Sequence, residues 1–256
     1  MELNPSISVV SGDFKMARNL SGKTALVTGA SAGIGRAIVK NLVDHGLNVI
    51  ATGRREAALD ALVSKYGTDR VASIAGDLNN GEFVAELIAS ACHVDILVSN
   101  AGVLKYAPIL DLTYDDIEEM VHTNVLGTFR ITHEIAKAMV ERGRGHIIVM
   151  TSTAAREVYP LGSIYCATKH ALSAFANALR IELQAKGVKV SEIAPGMVDT
   201  DIRESSDHPD VIAALSARKF EPLTPEEVAR AVTFALLSSD NCANDLIELR
   251  PRGAAS

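Results

Sequence analysis

Cysteine is scarce in these 256 residues: Cys92, Cys166 and Cys242 are an odd number without metal-ligand spacing, which argues against a disulfide framework or a zinc site. A basic excess is missing too. With 25 Lys and Arg against 31 Asp and Glu, the formal net charge is −6. That balance offers no electrostatic footprint for nucleic acid, and no basic run that would hold a membrane surface. No apolar stretch approaches the roughly 20 residues needed to span a bilayer, and Met1 to Leu20 lacks the basic start and long apolar run of a secretion signal. A reducing cytoplasm is the expected compartment. Linkers, repeats and low-complexity tracts are also lacking. The expected organisation is therefore an N-terminal arm over residues 1–20 and a single domain over 21–256.

What is present is an alternation. Short apolar runs at Thr24–Thr28, Asn48–Thr52, Val71–Ala75, Val94–Ser99, His146–Met150, Lys189–Ala194 and Asp245–Leu249 are separated by segments of helical periodicity. This is the pattern of βαβ units, and it predicts an α/β, doubly wound sheet of about seven mostly parallel strands with helices on both faces. Thr113-Tyr114-Asp115-Asp116 opens a long helix expected to reach about Arg142. Thr224-Pro225-Glu226-Glu227 is a stronger start, with an N-cap threonine, proline at the first helical position and a glutamate closing the capping box. Residues Asp199 to Phe220 mix charge with short apolar pieces, show no clear strand, and suit a lid.

The first run ends in Gly29-Ala30-Ser31-Ala32-Gly33-Ile34-Gly35 and opens a helix. Closely spaced glycines there let backbone N–H groups approach a pyrophosphate, whose charge the helix N-terminus favours. The second run ends in Thr52-Gly53-Arg54-Arg55, where a fold selecting NAD carries an acid for the ribose hydroxyls. Guanidinium groups instead suit a 2′-phosphate, so NADP (NADPH) is the expected cofactor. A tight turn without ligand and a solvated arginine pair are the plain structural alternatives.

Tyr165 and Lys169 stand four apart, so on a helix their side chains emerge on one face about 5–6 Å apart at Cβ. A phenol beside an ammonium makes a proton-transfer pair. Bringing a tyrosine from a pKa of about 10 to near 7 takes roughly 4 kcal/mol of differential stabilisation.

Together the glycine turn, Asn100-Ala101-Gly102, Asn124, Ser152, Tyr165, Lys169 and Pro195-Gly196 resemble, in this order and from Gly22 onward, the short-chain dehydrogenase/reductase family. That resemblance implies a single Rossmann-type domain and reversible hydride transfer between a nicotinamide and an alcohol or carbonyl. It implies Tyr165 as general acid and base, Ser152 as the hydrogen-bond donor to the reacting oxygen, Lys169 on the nicotinamide ribose, and Asn124 positioning a water in a proton relay. It also implies cofactor contacts at Gly29, Ser31, Gly33, Ile34, Gly35, Asp77, Leu78, Asn100, Ala101, Gly102, Pro195, Gly196, Val198 and Thr200, beside Arg54 and Arg55. Ser99 departs from the second asparagine many members carry before Asn100.

Thr52-Gly53-Arg54-Arg55, Leu223 to Val228 and the ending Leu246 to Pro251 further resemble the NADP-dependent branch of 3-hydroxy acid and serine dehydrogenases, sulfoacetaldehyde reductases and clavaldehyde-type reductases. Small, often anionic substrates follow from that likeness. Arg156 is the first expected anion anchor, then Arg203, with Arg250 or Arg252 behind them; Tyr159 and Met197 are expected in the apolar wall. No metal is expected, and a homodimer or homotetramer through the long helices is. The rival readings are a cofactor-binding sensor or structural protein without turnover, and a nonredox enzyme on the same fold.

Overall fold

The computed structural model describes residues 18–203 and 206–254. Of the arm expected over residues 1–20, residues 1–17 lie outside the described ones. Arg18 N donates to the Leu237 carbonyl at 2.9 Å and Leu20 is buried, so the chain already packs on the domain before Gly22.

Seven strands form one sheet: β1 (Thr24–Thr28), β2 (Asn48–Gly53), β3 (Val71–Ala75), β4 (Ile96–Ser99), β5 (Gly145–Met150), β6 (Val188–Pro195) and β7 (Leu246–Leu249). Their order is β3-β2-β1-β4-β5-β6-β7 and every pairing is parallel. Between them run α1 (Gly33–Asp44), α2 (Glu56–Tyr66), α3 (Gly81–Ala91), α4 (Tyr114–Met120), α5 (Thr128–Glu141), α6 (Ser163–Leu183), α7 (Pro209–Ser216) and α8 (Pro225–Leu237).

The pleat explains the two cores. Side chains alternate across a strand, so Ala25, Val27, Val49 and Ala51 join Ile38, Leu42, Val228 and Val232 on one face, whereas Leu26, Ile50, Leu97 and Ile147 meet Ile131, Ile135, Leu172 and Ala176 on the other. Central strands are apolar nearly throughout because both faces are covered: all of β4 and β5 is buried. The order reverses direction at the β1/β4 junction, and there the carboxyl ends of the strands open a crevice.

One helical expectation changes, and one segment carries a helix that the sequence reading did not foresee. The long helix from Thr113 is not one α-helix: a π-helical stretch, Val121–Gly127, separates α4 from α5. Inside the segment read as lacking a strand, Pro209–Ser216 forms α7, capped by the His208 side chain, which accepts from Asp210 N. No helix among the described residues is long and apolar enough to cross a membrane.

Candidate active site

One cleft of about 960 Å³ runs along the carboxyl ends of the strands. Its floor at the β1/β4 junction is built by glycine. Gly29 has φ +66°, a conformation that disfavours side chains, and a Cβ there would come within 2.8 Å of Ala101 Cα. A Cβ on Gly35 would run into the Gly29 carbonyl oxygen. Asn100 holds the two loops together, donating Nδ2 to the Thr28 carbonyl at 2.9 Å while its own N–H reaches Thr28 Oγ1 at 3.0 Å. The backbone is thus bared where a pyrophosphate would approach the start of α1. Ser99, the departure in the sequence, is buried and hydrogen-bonded to Thr132 Oγ1 at 3.1 Å, so it braces β4 against α5.

Every residue expected at the cofactor lines this cleft. Arg54 and Arg55 close β2 on its rim, Asp77 and Leu78 follow β3, and Pro195, Gly196, Val198 and Thr200 follow β6. The donor set fits a phosphorylated dinucleotide, because two guanidinium groups stand at the β2 end with no carboxylate from β2 itself. An acid does approach from elsewhere: Arg54 Nη1 lies 3.1 Å from Glu119 Oε1 of α4.

Across the cleft stand Ser152, Tyr165 and Lys169, all buried. The first turns of α6 carry Tyr165 and Lys169 on one face, and Lys169 Nζ sits 5.7 Å from the Tyr165 ring centroid while donating to the Met150 carbonyl at 3.2 Å. Burial lowers the Lys169 pKa to about 8. Burial also raises the Tyr165 pKa, opposed by the hydrogen bond with Ser152 and by the charge of Arg203. The phenol is therefore not acidified outright, as a simple tyrosine–lysine pair suggests: desolvation is the larger effect, and the leading counterweights are Ser152 and Arg203.

Asn124 is buried behind the cleft wall. The π turn swings it inward, where Nδ2 donates to the Val103 carbonyl at 2.9 Å and to Thr168 Oγ1 at 3.1 Å, and Oδ1 accepts from Val103 N at 2.7 Å. It braces the loop after β4 against α6.

The substrate residues divide. Tyr159, Met197 and Arg203 line the cleft; Arg156 does not. Arg156 Nη2 lies 2.8 Å from Glu192 Oε1, a carboxylate 1% exposed that also accepts from Thr151 Oγ1 at 2.6 Å and Ser173 Oγ at 3.1 Å. A buried acid in the middle of β6 needs that cation, so the expected anion anchor is spent inside the protein. Arg156→Ala is expected to cost about 2 kcal/mol of stability in urea denaturation, less than a fully buried pair because the guanidinium is partly exposed. The same variant should leave any substrate-charge preference as it was. Arg250 lines the cleft but is held by Glu157 at 2.6 Å and Glu248 at 2.7 Å.

Sequence reading missed part of the wall. Tyr106 packs edge-on against Tyr165, ring centroids 5.9 Å apart at 83°. Leu161, the non-glycine residue with positive φ among those described, turns the chain into α6 at φ +66° and its carbonyl accepts from Ala107 N. Phe220 and Glu119 also face the cleft. A glutamate near the end of a short helix carries no signal of its own in sequence, and Leu161 looks like any loop leucine.

Comparison with known proteins places this arrangement. The short chain dehydrogenase family model matches residues 23–210. A short-chain type dehydrogenase/reductase of Sinorhizobium fredii is 38% identical over 90% of this chain and 92% of its own length, and an oxidoreductase of Staphylococcus haemolyticus is 34% identical over 91% and 98%. Among solved structures, the closed form of a serine dehydrogenase complexed with NADP+ superposes with a TM-score of 0.83 at 34% identity, covering 88% of this chain and 94% of that one. With the fold, the glycine turn and these relatives in agreement, the chain belongs to the short-chain dehydrogenase/reductase family of oxidoreductases.

Proposed function

We propose that this protein transfers hydride reversibly between NADP(H) and a small alcohol or carbonyl. What carries the reading is one juxtaposition: the buried Ser152–Tyr165–Lys169 set faces a glycine-floored cleft whose β2 rim bears Arg54 and Arg55. The likeness to a serine dehydrogenase complexed with NADP+ supports it. The nicotinamide, when bound, supplies or accepts the hydride.

The chain's own residues do the rest. As charge grows on the carbonyl oxygen, Tyr165 gives it a proton and Ser152 holds it by a hydrogen bond, in a cleft where low dielectric strengthens both. In the oxidative direction the phenol takes the proton back. Lys169 holds the ribose, and Asn124 orders a water on the path by which the proton leaves. Gly29, Ser31, Gly33, Ile34 and Gly35 cradle the pyrophosphate, Asp77 and Leu78 flank the adenine, Asn100 to Gly102 line the cofactor, and Pro195, Gly196, Val198 and Thr200 meet the carboxamide end. Arg54 and Arg55 take the 2′-phosphate. The enzyme works in the cytoplasm, a reading supported by three cysteines without disulfide spacing, and as a homodimer or homotetramer, supported by the exposed Tyr114 on α4 and Ile181 on α6.

The test is the loss of reduced-nicotinamide absorbance across a panel of small aldehydes, semialdehydes and oxo acids. Substrate-dependent oxidation of NADPH, faster than of NADH, is expected. Tight NADPH binding without oxidation of any of them would favour a sensor instead.

A further inference from the structure

Ser152 has a chain neighbour on each side, and one closed circuit of polar contacts ties down both of them. On the upstream side Thr151 Oγ1 donates to Glu192 Oε1 at 2.6 Å, and Arg156 Nη2 lies 2.8 Å from the same oxygen. Arg156 Nη1 continues to Glu248 Oε2 at 3.8 Å, and Arg250 bridges Glu248 to Glu157. The Tyr159 hydroxyl then donates to Glu157 at 2.8 Å and lies 2.8 Å from Thr153 Oγ1, which returns the circuit to the downstream side. A branch reaches α6. Glu192 Oε2 accepts from Ser173 Oγ at 3.1 Å, one helical turn beyond Lys169 and two beyond Tyr165.

We infer that Glu192 is the positioning residue that sets Ser152 against Tyr165. The inference rests on the hydride-transfer reading above and adds to it the group that fixes where the reacting oxygen is held. Three physical points carry it. Glu192 is buried, and both its oxygens are engaged by the strand end, the turn and the helix that carry the serine and the phenol, in an interior where such bonds are strong. The fold itself does not ask for an acid there. Val188 and Val190 occupy the same face of β6 and are buried in the apolar core, and a buried ion pair exchanged for well-packed apolar groups is often neutral or stabilising. The required geometry is also tight, because a misplacement of about 1 Å at a reacting centre costs about 10²-fold in rate.

Glu192 stands behind the cleft wall rather than in it, so it acts through Thr151 and Arg156. These two residues bracket the short 3₁₀ turn Thr153–Ala155, whose N-cap is Ser152, with Oγ accepting from Ala154 N at 3.1 Å. Released from the carboxylate, that turn is free to shift. A serine that shifts with it loses its hydrogen bond with the Tyr165 phenol.

The experiment is a double-mutant cycle of Glu192→Gln with Ser152→Ala, read in two ways. In steady-state reduction with NADPH, Glu192→Gln should lower kcat about 30-fold and leave KM for the carbonyl and Kd for NADPH within about threefold of wild type. On the Ser152→Ala background the same substitution should cost less than about threefold, because the serine it misplaces is gone, whereas a merely structural loss keeps its full size on both backgrounds. The second reading needs no turnover. With isotope-labelled tyrosine, the NMR resonance of the oxygen-bearing ring carbon of Tyr165 is assigned by its disappearance in Tyr165→Phe. It should move in Glu192→Gln in the direction it moves in Ser152→Ala, and no further in the double variant. Thr151→Val, which keeps every charge and removes one donor to the carboxylate, gives both readings if Glu192→Gln folds poorly. If no carbonyl is reduced, the hydride reading falls and the resonance alone decides the positioning. Equal losses of kcat on both backgrounds, or a Tyr165 resonance that neither Glu192→Gln nor Thr151→Val moves, overturns the inference.

Discussion

Tyr165→Phe is expected to lower turnover by about 10³-fold while leaving the affinity for NADPH within a few-fold of wild type. General acid–base catalysis by a positioned side chain contributes about 10²–10⁴-fold, and here the donor also shares a hydrogen bond with Ser152. The substitution removes one oxygen and keeps the ring, so the edge-on packing against Tyr106 and the burial of the first turn of α6 survive. Affinity is read by quenching or enhancement of NADPH fluorescence, turnover by its oxidation with the best carbonyl of the panel. The separation is the point. A fall in both would mean the variant has disturbed the cleft, whereas unchanged turnover would mean the proton comes from another group, and the role assigned to the phenol would be lost. Lys169 offers no close replacement by position, because its Nζ is bonded to the Met150 carbonyl and lies 5.7 Å from the Tyr165 ring centroid.

The sheet was legible because each strand announces both its ends. Val71–Ala75 runs into Gly76-Asp77 and Lys189–Ala194 into Pro195-Gly196, and the strands end within two residues of where those breakers stand. Capping chemistry was equally readable at Thr224, whose side chain and Glu227 form the expected reciprocal bonds. The π turn was not, because one extra residue per turn over Val121–Gly127 blurs a 3.6 period without leaving a breaker behind. Helix α7 hid for another reason: its cap is His208, an uncommon N-cap, followed by Pro209.

The site divides along the same line. Positions set by local chain geometry, such as the tight turn at Gly29 and Gly35 and the shared helix face of Tyr165 and Lys169, could be read from spacing, whereas the roles expected of them came from the family resemblance. Arg156 and Arg203 could not be ranked that way, since what distinguishes them is the partner each meets across the fold. A signal did exist. Glu192 lies between the buried Ser191 and Ile193 in a strand, and a carboxylate in a sheet covered on both faces demands a cation. That demand pointed to one of the arginines being structural, though not to which.

Arg54→Asp is expected to reduce kcat/KM for NADPH by at least about 100-fold and to raise that for NADH several-fold, reversing the cofactor preference. Two changes act together: a charge-assisted pair with the 2′-phosphate is lost, and a carboxylate is placed where it repels that phosphate but accepts from ribose hydroxyls. The existing Arg54–Glu119 pair does not stand in the way. Both side chains are about half exposed, 56% and 47%, and an exposed pair is worth at most about 1 kcal/mol. A dianionic phosphate therefore competes successfully for the guanidinium, with Arg55 beside it and no ion-pair partner of its own among the described residues. Reversal also has a geometric requirement, because the introduced carboxylate would face Glu119 and the two acids repel across the cleft rim. That repulsion limits the gain with NADH to a few-fold. Steady-state kinetics with both cofactors, at fixed saturating carbonyl, reads the ratio directly. A preference that stays with NADPH in this variant would move the phosphate site to Arg55 alone, and leave Arg54 as the solvent-facing half of an ion pair.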